Sequence, residues 1–368
     1  MPADGRDAGR AMGGRWHAPG RVNLIGEHTD YNGGLVLPYA LPQGVTVAGT
    51  RRDDDLLEIH SQGETRTVDL GEAAPGAVTG WAAYVAGVAG CLRAAGHPVG
   101  GAVLRFSSDL PQGAGVSSSA ALECATAIAL TGLYGLDVPR EDLVEITQRA
   151  ERDYAGVPCG ILDQSASLLC RADHALLLDC RTGESAHIPL RLGEHRVLVV
   201  DTRAEHRHAG GGYADRRASC ERAAEHLGVE FLCDVTDPRA VMSLPDPVLR
   251  RRARHVVTEN QRVRTAADLL EKGALAEVGA LLTESHVSLR DDYEVSWAEA
   301  DVAVEAALAA GALGARMFGG GFGGSVLALA HRDAIAAVSD AVGKAFAERG
   351  WTVPGFLETT AGPAARAL

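Results

Sequence analysis

The order of patterns along this chain predicts an α+β fold in two domains, on three observations. Its 368 residues exceed the roughly 100–150 usual for one domain. Short β-rich runs fill the first hundred residues, and a mostly helical stretch over 213–310 then gives way to alternating runs. Mixed runs of this kind suit helices layered on sheet.

Segments 45–50, 56–60, 66–70 and 102–106 read as strands, interrupted by a helix over 81–95. An Ala-rich helix begins near Ser118, and another spans 139–154. Asp137 or Val138 precedes the latter, Pro139 suits its first turn, and Gly156 and Pro158 end it. Segments 175–179 and 196–201 are strand-like, and after the helical stretch come a strand over 325–330, a helix over 333–348 and a strand over 355–359. A boundary near residue 190 is expected, giving domains 1–190 and 191–368. No internal repeat or low-complexity linker is apparent.

Hydrophobic residues at 46% and charged residues at 23% leave no case for wholesale disorder. A formal net charge of −13 argues against a general nucleic-acid or anionic-membrane surface. Seven cysteines without a C-x-x-C pair fit reduced, cytoplasmic thiols. The first sixteen residues, MPADGRDAGRAMGGRW, hold no apolar core of a signal peptide, and no run of about 18 apolar residues occurs. Only Lys272 and Lys344 are lysines, followed by Gly273 and Ala345, which excludes a G-x-x-x-x-G-K-[ST] loop and a V-A-I-K lysine. Any nucleotide must be held by backbone amides, serines, arginine and metal.

Residues 20–34, GRVNLIGEHTDYNGG, place Arg21, Glu27, His28 and Asp30 in a turn-rich segment. Carboxylates accept, guanidinium donates and imidazole does either, which suits a polyhydroxylated ligand. Read alone, the same segment is a solvated loop with ordinary Asn-Gly-Gly turn chemistry. Residues 110–124, LPQGAGVSSSAALEC, form a strand-to-helix turn in which Gly113 and Gly115 admit close backbone approach. Free N–H groups of the first helical turn favour an anion there, although a serine N-cap has the same letters. Taken singly, Glu151 suits a surface ion pair, Asp163 a cap or turn, Tyr213 a strand-loop-helix junction and 316–324 a flexible glycine turn.

Taken together these strings resemble galactokinases, members of the GHMP small-molecule kinases. The match covers GRVNLIGEHTDYNGG, the ATP loop PQGAGVSSSAA with Val116 and Ala121 as mild departures, and AERDYAG around Glu151. It continues through PCGILDQSAS around Asp163, DTRAEHRHAGGGYADRR from Asp201, SHVSLRDDYEVS from Ser285, and RMFGGGFGG over 316–324. The resemblance implies a two-domain GHMP fold, with a mixed α/β N-terminal domain and a ferredoxin-like C-terminal domain. It implies ATP-dependent phosphorylation of the anomeric hydroxyl of α-D-galactose, with Asp163 as base and Arg21 as the stabilising cation.

By the same resemblance Glu27, His28, Thr29, Asp30, Gly160 and Tyr213 bind the sugar. Gly113, Ala114, Gly115, Val116, Ser117, Ser118 and Ser119 wrap the ATP phosphates, and Ser119 with Glu151 holds Mg²⁺, which prefers hard oxygen ligands. Phe318 stands where relatives carry threonine, with an expected bearing on sugar selectivity. Galactose and ATP are the expected partners, with no nucleic acid or membrane, and a monomer or weak dimer is implied. Related sugar 1-kinases acting on N-acetylgalactosamine or arabinose, and a catalytically inactive galactose-sensing regulator, are the alternatives.

Overall fold

The computed structural model of the protein describes residues 13–111, 113–204 and 209–368. Strands β1 (Gly13–Asn23), β2 (Leu35–Val36), β3 (Pro38–Arg51), β4 (Leu56–Ser61) and β5 (Glu64–Asp69) come first. Helix α1 (Ala82–Ala94), strand β6 (Ala102–Ser108) and helices α2 (Ser118–Tyr134), α3 (Arg140–Ala150) and α4 (Leu162–Leu169) follow. Strands β7 (His174–Asp179), β8 (Ser185–Pro189) and β9 (His195–Asp201) lead to helices α5 (Ala209–Leu227), α6 (Pro247–Glu271), α7 (Leu275–Ser288) and α8 (Ala298–Ala309). The chain closes with β10 (Gly314–Phe318), β11 (Ser325–His331), α9 (Ile335–Ala347), β12 (Gly355–Thr359) and β13 (Arg366–Ala367).

These strands form a six-stranded sheet in the order β13-β1-β3-β6-β4-β5, a four-stranded sheet β10-β11-β9-β12 and a three-stranded sheet β2-β7-β8. Sheet membership changes between β8 and β9, and the chain end returns to pair with β1 through Trp16↔Ala367 and His17↔Arg366. In the four-stranded sheet the period-2 alternation of side chains divides two cores. Val197, Val199, Leu327 and Leu329 face the core built on the six-stranded sheet. Leu198, Val200, Val326 and Ala328 face the core beneath α8 and α9.

Helix α2 is apolar around its circumference, and its alanines bring it close to β1 and β3. A helix hydrophobic on all sides belongs in a core. Strand β1 is buried from Trp16 to Asn23 and carries a bulge between Pro19 and Arg21 in its pairing with β3. Gly20 lies at that bulge, where a Cβ would stand 2.6 Å from the Val116 carbonyl and 2.7 Å from Leu110. The bulge redirects the strand so that the Arg21 N–H meets the Val116 carbonyl at 3.1 Å.

Several expectations need correction. Arg21 lies on β1 rather than in a loop, and Arg21, Glu27, His28 and Thr29 are buried. The solvated-loop reading of residues 20–34 therefore fails. Residues 316–318 of the expected glycine turn belong to β10, paired with 325–327 of β11. The helix expected over 139–154 gives way at Glu151–Ala155 to a π-helical turn, capped by Gly156 in the left-handed region. Among the described residues no helix is long and apolar enough to cross a membrane. All seven cysteines are free. Residues 1–12 of the N-terminal string and 205–208 of the segment from Asp201 lie outside the described residues.

Candidate active site

Arg21 and Asp163 meet across 142 residues of sequence. The guanidinium Nε donates to Asp163 Oδ1 at 2.8 Å and Nη2 donates to Oδ2 at 3.1 Å. Its remaining Nη1 donates to the Gly115 carbonyl at 2.7 Å, which ties the pair to the glycine-serine loop. Ser117, left-handed at φ 58° and the N-cap of α2, donates its hydroxyl to Asp163 Oδ2 at 2.5 Å. Three charge-assisted bonds therefore converge on one carboxylate, in the first turn of α4. The fork geometry fixes the planes of both groups, as only arginine allows.

A cavity of about 500 Å³ opens beside this pair, bordered by Arg21, Glu27, His28, Asp30, Glu151, Gly160, Asp163, Tyr213 and the turn Gly319–Phe322. Glu27 accepts from Asn23 Nδ2 at 2.8 Å, from Arg316 Nη2 at 2.5 Å and from the Gly319 N–H at 2.9 Å. Burial raises the Glu27 pKa, and the Arg316 charge opposes that rise. Arg316 itself is wholly buried and also donates to the Leu24 carbonyl at 3.0 Å. Burial, followed by the Asp163 and Glu27 charges, raises Asp30 from 3.8 to about 6. Gly160 leaves room for that carboxylate, since a Cβ there would lie 2.3 Å from Asp30 Oδ2.

Thr29 departs from the expected set. It is fully buried, its one hydroxyl proton is shared between the Gly26 carbonyl at 2.8 Å and the Leu35 carbonyl at 2.7 Å, and it does not border the cavity. It clamps the turn between β1 and β2. Phe318 is likewise 2% exposed, packs into the core and stays off the cavity wall. Of the two phenylalanines in this segment, the one that reaches the cavity is Phe322, at φ 60°.

The loop at the start of α2 leaves Gly113, Gly115 and Ser118 exposed, while Ala114 and Val116 are buried. Ala114 accepts from Ser325 Oγ at 2.8 Å, so the loop is held by β11 as well as by Arg21. Behind it lie two glutamate side chains bridged by an amide. Gln164 Nε2 donates to Glu151 Oε2 at 2.6 Å and to Glu123 Oε2 at 3.0 Å. Burial raises Glu151, with Asp163 adding to the rise and hydrogen bonding from Cys159 and Ser119 opposing it. Burial, then Glu151, pushes fully buried Glu123 up to about 10, which makes it a neutral acid at physiological pH. Among the described residues no group of three or more His, Cys, Asp or Glu is arranged to hold a metal.

Sequence reasoning missed Asn23, Glu123, Gln164 and Arg316. Glu123 carries a visible signal, a lone carboxylate inside the Ala-rich run of α2. Arg316 opens the matched string RMFGGGFGG, but its pairing with Glu27, 289 positions away, leaves no local pattern.

Family models match the chain over three segments. The galactokinase galactose-binding signature matches residues 7–51. The GHMP kinases N terminal domain matches 83–171 and the GHMP kinases C terminal matches 266–348. A galactokinase of Streptomyces coelicolor is 48% identical, over 96% of this chain and 94% of that protein. The chain belongs to the galactokinases. A galactokinase of Mycobacterium tuberculosis is 45% identical over 95% of this chain and 97% of its own. Lactococcus lactis galactokinase, solved complexed with galactose, matches with a TM-score of 0.92 at 34% identity, covering 97% of this chain and 95% of that one. The fold is thus the α+β GHMP kinase fold.

Proposed function

We propose that the cavity binds α-D-galactose beside the glycine-serine loop and that Asp163 takes the proton of its anomeric hydroxyl. The oxygen then attacks the γ-phosphorus of ATP, the bond to the β-phosphate oxygen breaks, and galactose 1-phosphate and ADP leave. The observation that carries this reading is the Arg21–Asp163–Ser117 cluster, which joins the sugar cavity to the start of α2. A sugar hydroxyl is a poor nucleophile, and a carboxylate within hydrogen-bond reach supplies the base. Arg21 holds that carboxylate in place and puts a fixed positive charge beside the transferring group.

In this reading Glu27, His28, Asp30, Gly160 and Tyr213 form the sugar wall. The locked Glu27 offers lone pairs in a fixed direction. Gly113, Ala114, Gly115, Val116, Ser117, Ser118 and Ser119 meet the phosphates through backbone N–H groups and the α2 dipole, with no lysine required. Mg²⁺ fits the residues present, because Ser119 and Glu151 bring a hydroxyl and a carboxylate together, and this ion takes only one or two protein oxygens. The chemistry it supplies when bound is neutralisation of charge on the β- and γ-phosphate oxygens. Seven free thiols support a cytoplasmic site, and a monomer or weak dimer fits a cavity built within one chain.

The alternatives, a kinase for N-acetylgalactosamine or arabinose and an inactive regulator, are not favoured by the galactokinases of Streptomyces coelicolor and Mycobacterium tuberculosis that match nearly the whole chain. The test is Mg·ATP-dependent ADP release across galactose, talose, 2-deoxygalactose, galactosamine, N-acetylgalactosamine, glucose and arabinose. Strong turnover with galactose is expected. Turnover confined to another sugar changes the substrate, and galactose binding without turnover on any sugar makes the protein a regulator.

A further inference from the structure

Four side chains run in a line from the sugar cavity into the helical half of the molecule. His28 Nδ1 lies 2.9 Å from the Tyr31 hydroxyl, which lies 2.7 Å from the Tyr293 hydroxyl, which lies 3.1 Å from Cys220 Sγ. His28 is buried and borders the cavity, and its other ring nitrogen, Nε2, is buried without a protein partner. The Tyr293 ring packs on the imidazole at 4.6 Å between centroids.

Every member of this line is neutral at physiological pH. Burial drives His28 well below its ordinary value, drives Tyr31 and Tyr293 well above theirs, and raises Cys220 to about 11. Each group then has one proton to give along the line, so the hydrogen bonds all run one way. Running toward His28, the Tyr31 O–H donates to Nδ1 and the imidazole proton sits on Nε2. Running away, Nδ1–H donates to Tyr31 and Nε2 becomes a bare acceptor.

The imidazole end decides the sense. A phenol, with a pKa of about 10, is a far better donor than a neutral imidazole N–H, and the imidazole nitrogen is a far better acceptor than a phenol oxygen. At the far end the thiol is a weak donor and a weak acceptor, so it opposes neither sense strongly. We propose that Tyr31 and Tyr293 hold His28 as the Nε2–H tautomer, which makes His28 a hydrogen-bond donor to a sugar hydroxyl oxygen. Tyr31 and Tyr293 are then positioning residues for sugar recognition, a role that rests on the reading of the cavity as the galactose site.

The test uses the whole protein with ¹⁵N-labelled histidine, His28 being assigned by its loss in His28→Ala. Long-range ¹H–¹⁵N correlation should show a pyrrole-type Nε2 and a pyridine-type Nδ1 in the wild type. Tyr31→Phe should mix the two tautomers and raise the galactose KM about 2- to 3-fold, the reciprocal of the Nε2–H fraction that remains, with kcat nearly unchanged. A pyridine-type Nε2 in the wild type overturns the proposal, whether or not the variant folds. An unchanged KM in a folded Tyr31→Phe overturns it too. His28→Ala with unchanged galactose KM overturns the cavity reading itself. A raised KM in His28→Ala alongside a pyridine-type Nε2 overturns the relay alone.

Discussion

Asp30 stands where burial, then the charges of Asp163 and Glu27, lift its pKa from 3.8 to about 6. Its folded value lies above its unfolded one, so Asp30 contributes stability that is full below about pH 4 and lost as pH rises through about 6. Asp30→Asn should therefore stabilise the protein at pH 7.5, by at most about 3 kcal/mol, and have little effect at pH 4. Urea denaturation at the two pH values checks this. The same change should raise the galactose KM, since an amide replaces an acceptor-only carboxylate. Gly160→Ala acts on the same group, because its Cβ would stand 2.3 Å from Asp30 Oδ2 and 3.1 Å from Cγ. The expected outcome is a rise of about tenfold or more in galactose KM with ATP KM unchanged, since a small misplacement of one contact costs that much.

Two helices end in π-turns, and both turns serve the site. Glu151 opens the turn after α3, and Tyr293 closes the turn Leu289–Tyr293 after α7. Such turns shift side chains off the helical register and recur at functional sites. Behind the first of them, Gln164 bridges Glu151 to a neutral Glu123. Glu123→Gln should thus keep the bridge and leave the apparent Mg²⁺ requirement within roughly twofold of wild type, since acid and amide carbonyls accept alike. Glu123→Leu removes the acceptor and should raise that requirement, as a Mg²⁺ titration of turnover will read. At this scale legibility followed length and period. Helices α1 and α2 and strand β6 were readable, whereas Gly13, Gly14, Pro19 and Gly20 interrupt the pattern of β1, and α4 has only eight residues behind Pro158 and Gly160.

At the scale of the molecule the site is a seam. Glu27 follows β1, while Arg316 and Gly319 belong to β10 and the turn after it. Glu259 of α6 accepts from the Gly26 N–H at 3.0 Å and from Ser285 Oγ at 2.6 Å, which ties the turn after β1 to two more helices. We propose a domain division near residue 190, where sheet membership changes, with residues 366–367 returning to the first sheet. Arg316→Met would leave the Glu27 carboxylate buried and unpaired, at a cost of about 3–5 kcal/mol. A lower urea midpoint together with a raised galactose KM is expected. The motif residues of this seam were legible as strings, but their pairing was not, because contacts between positions hundreds of residues apart leave no local pattern. The most direct measurement compares galactose and ATP affinities with turnover in Asp163→Asn. Both ligands should still bind while kcat falls by about 10²-fold or more, the usual contribution of a positioned base. Turnover within a few-fold of wild type would contradict the role of Asp163 as base.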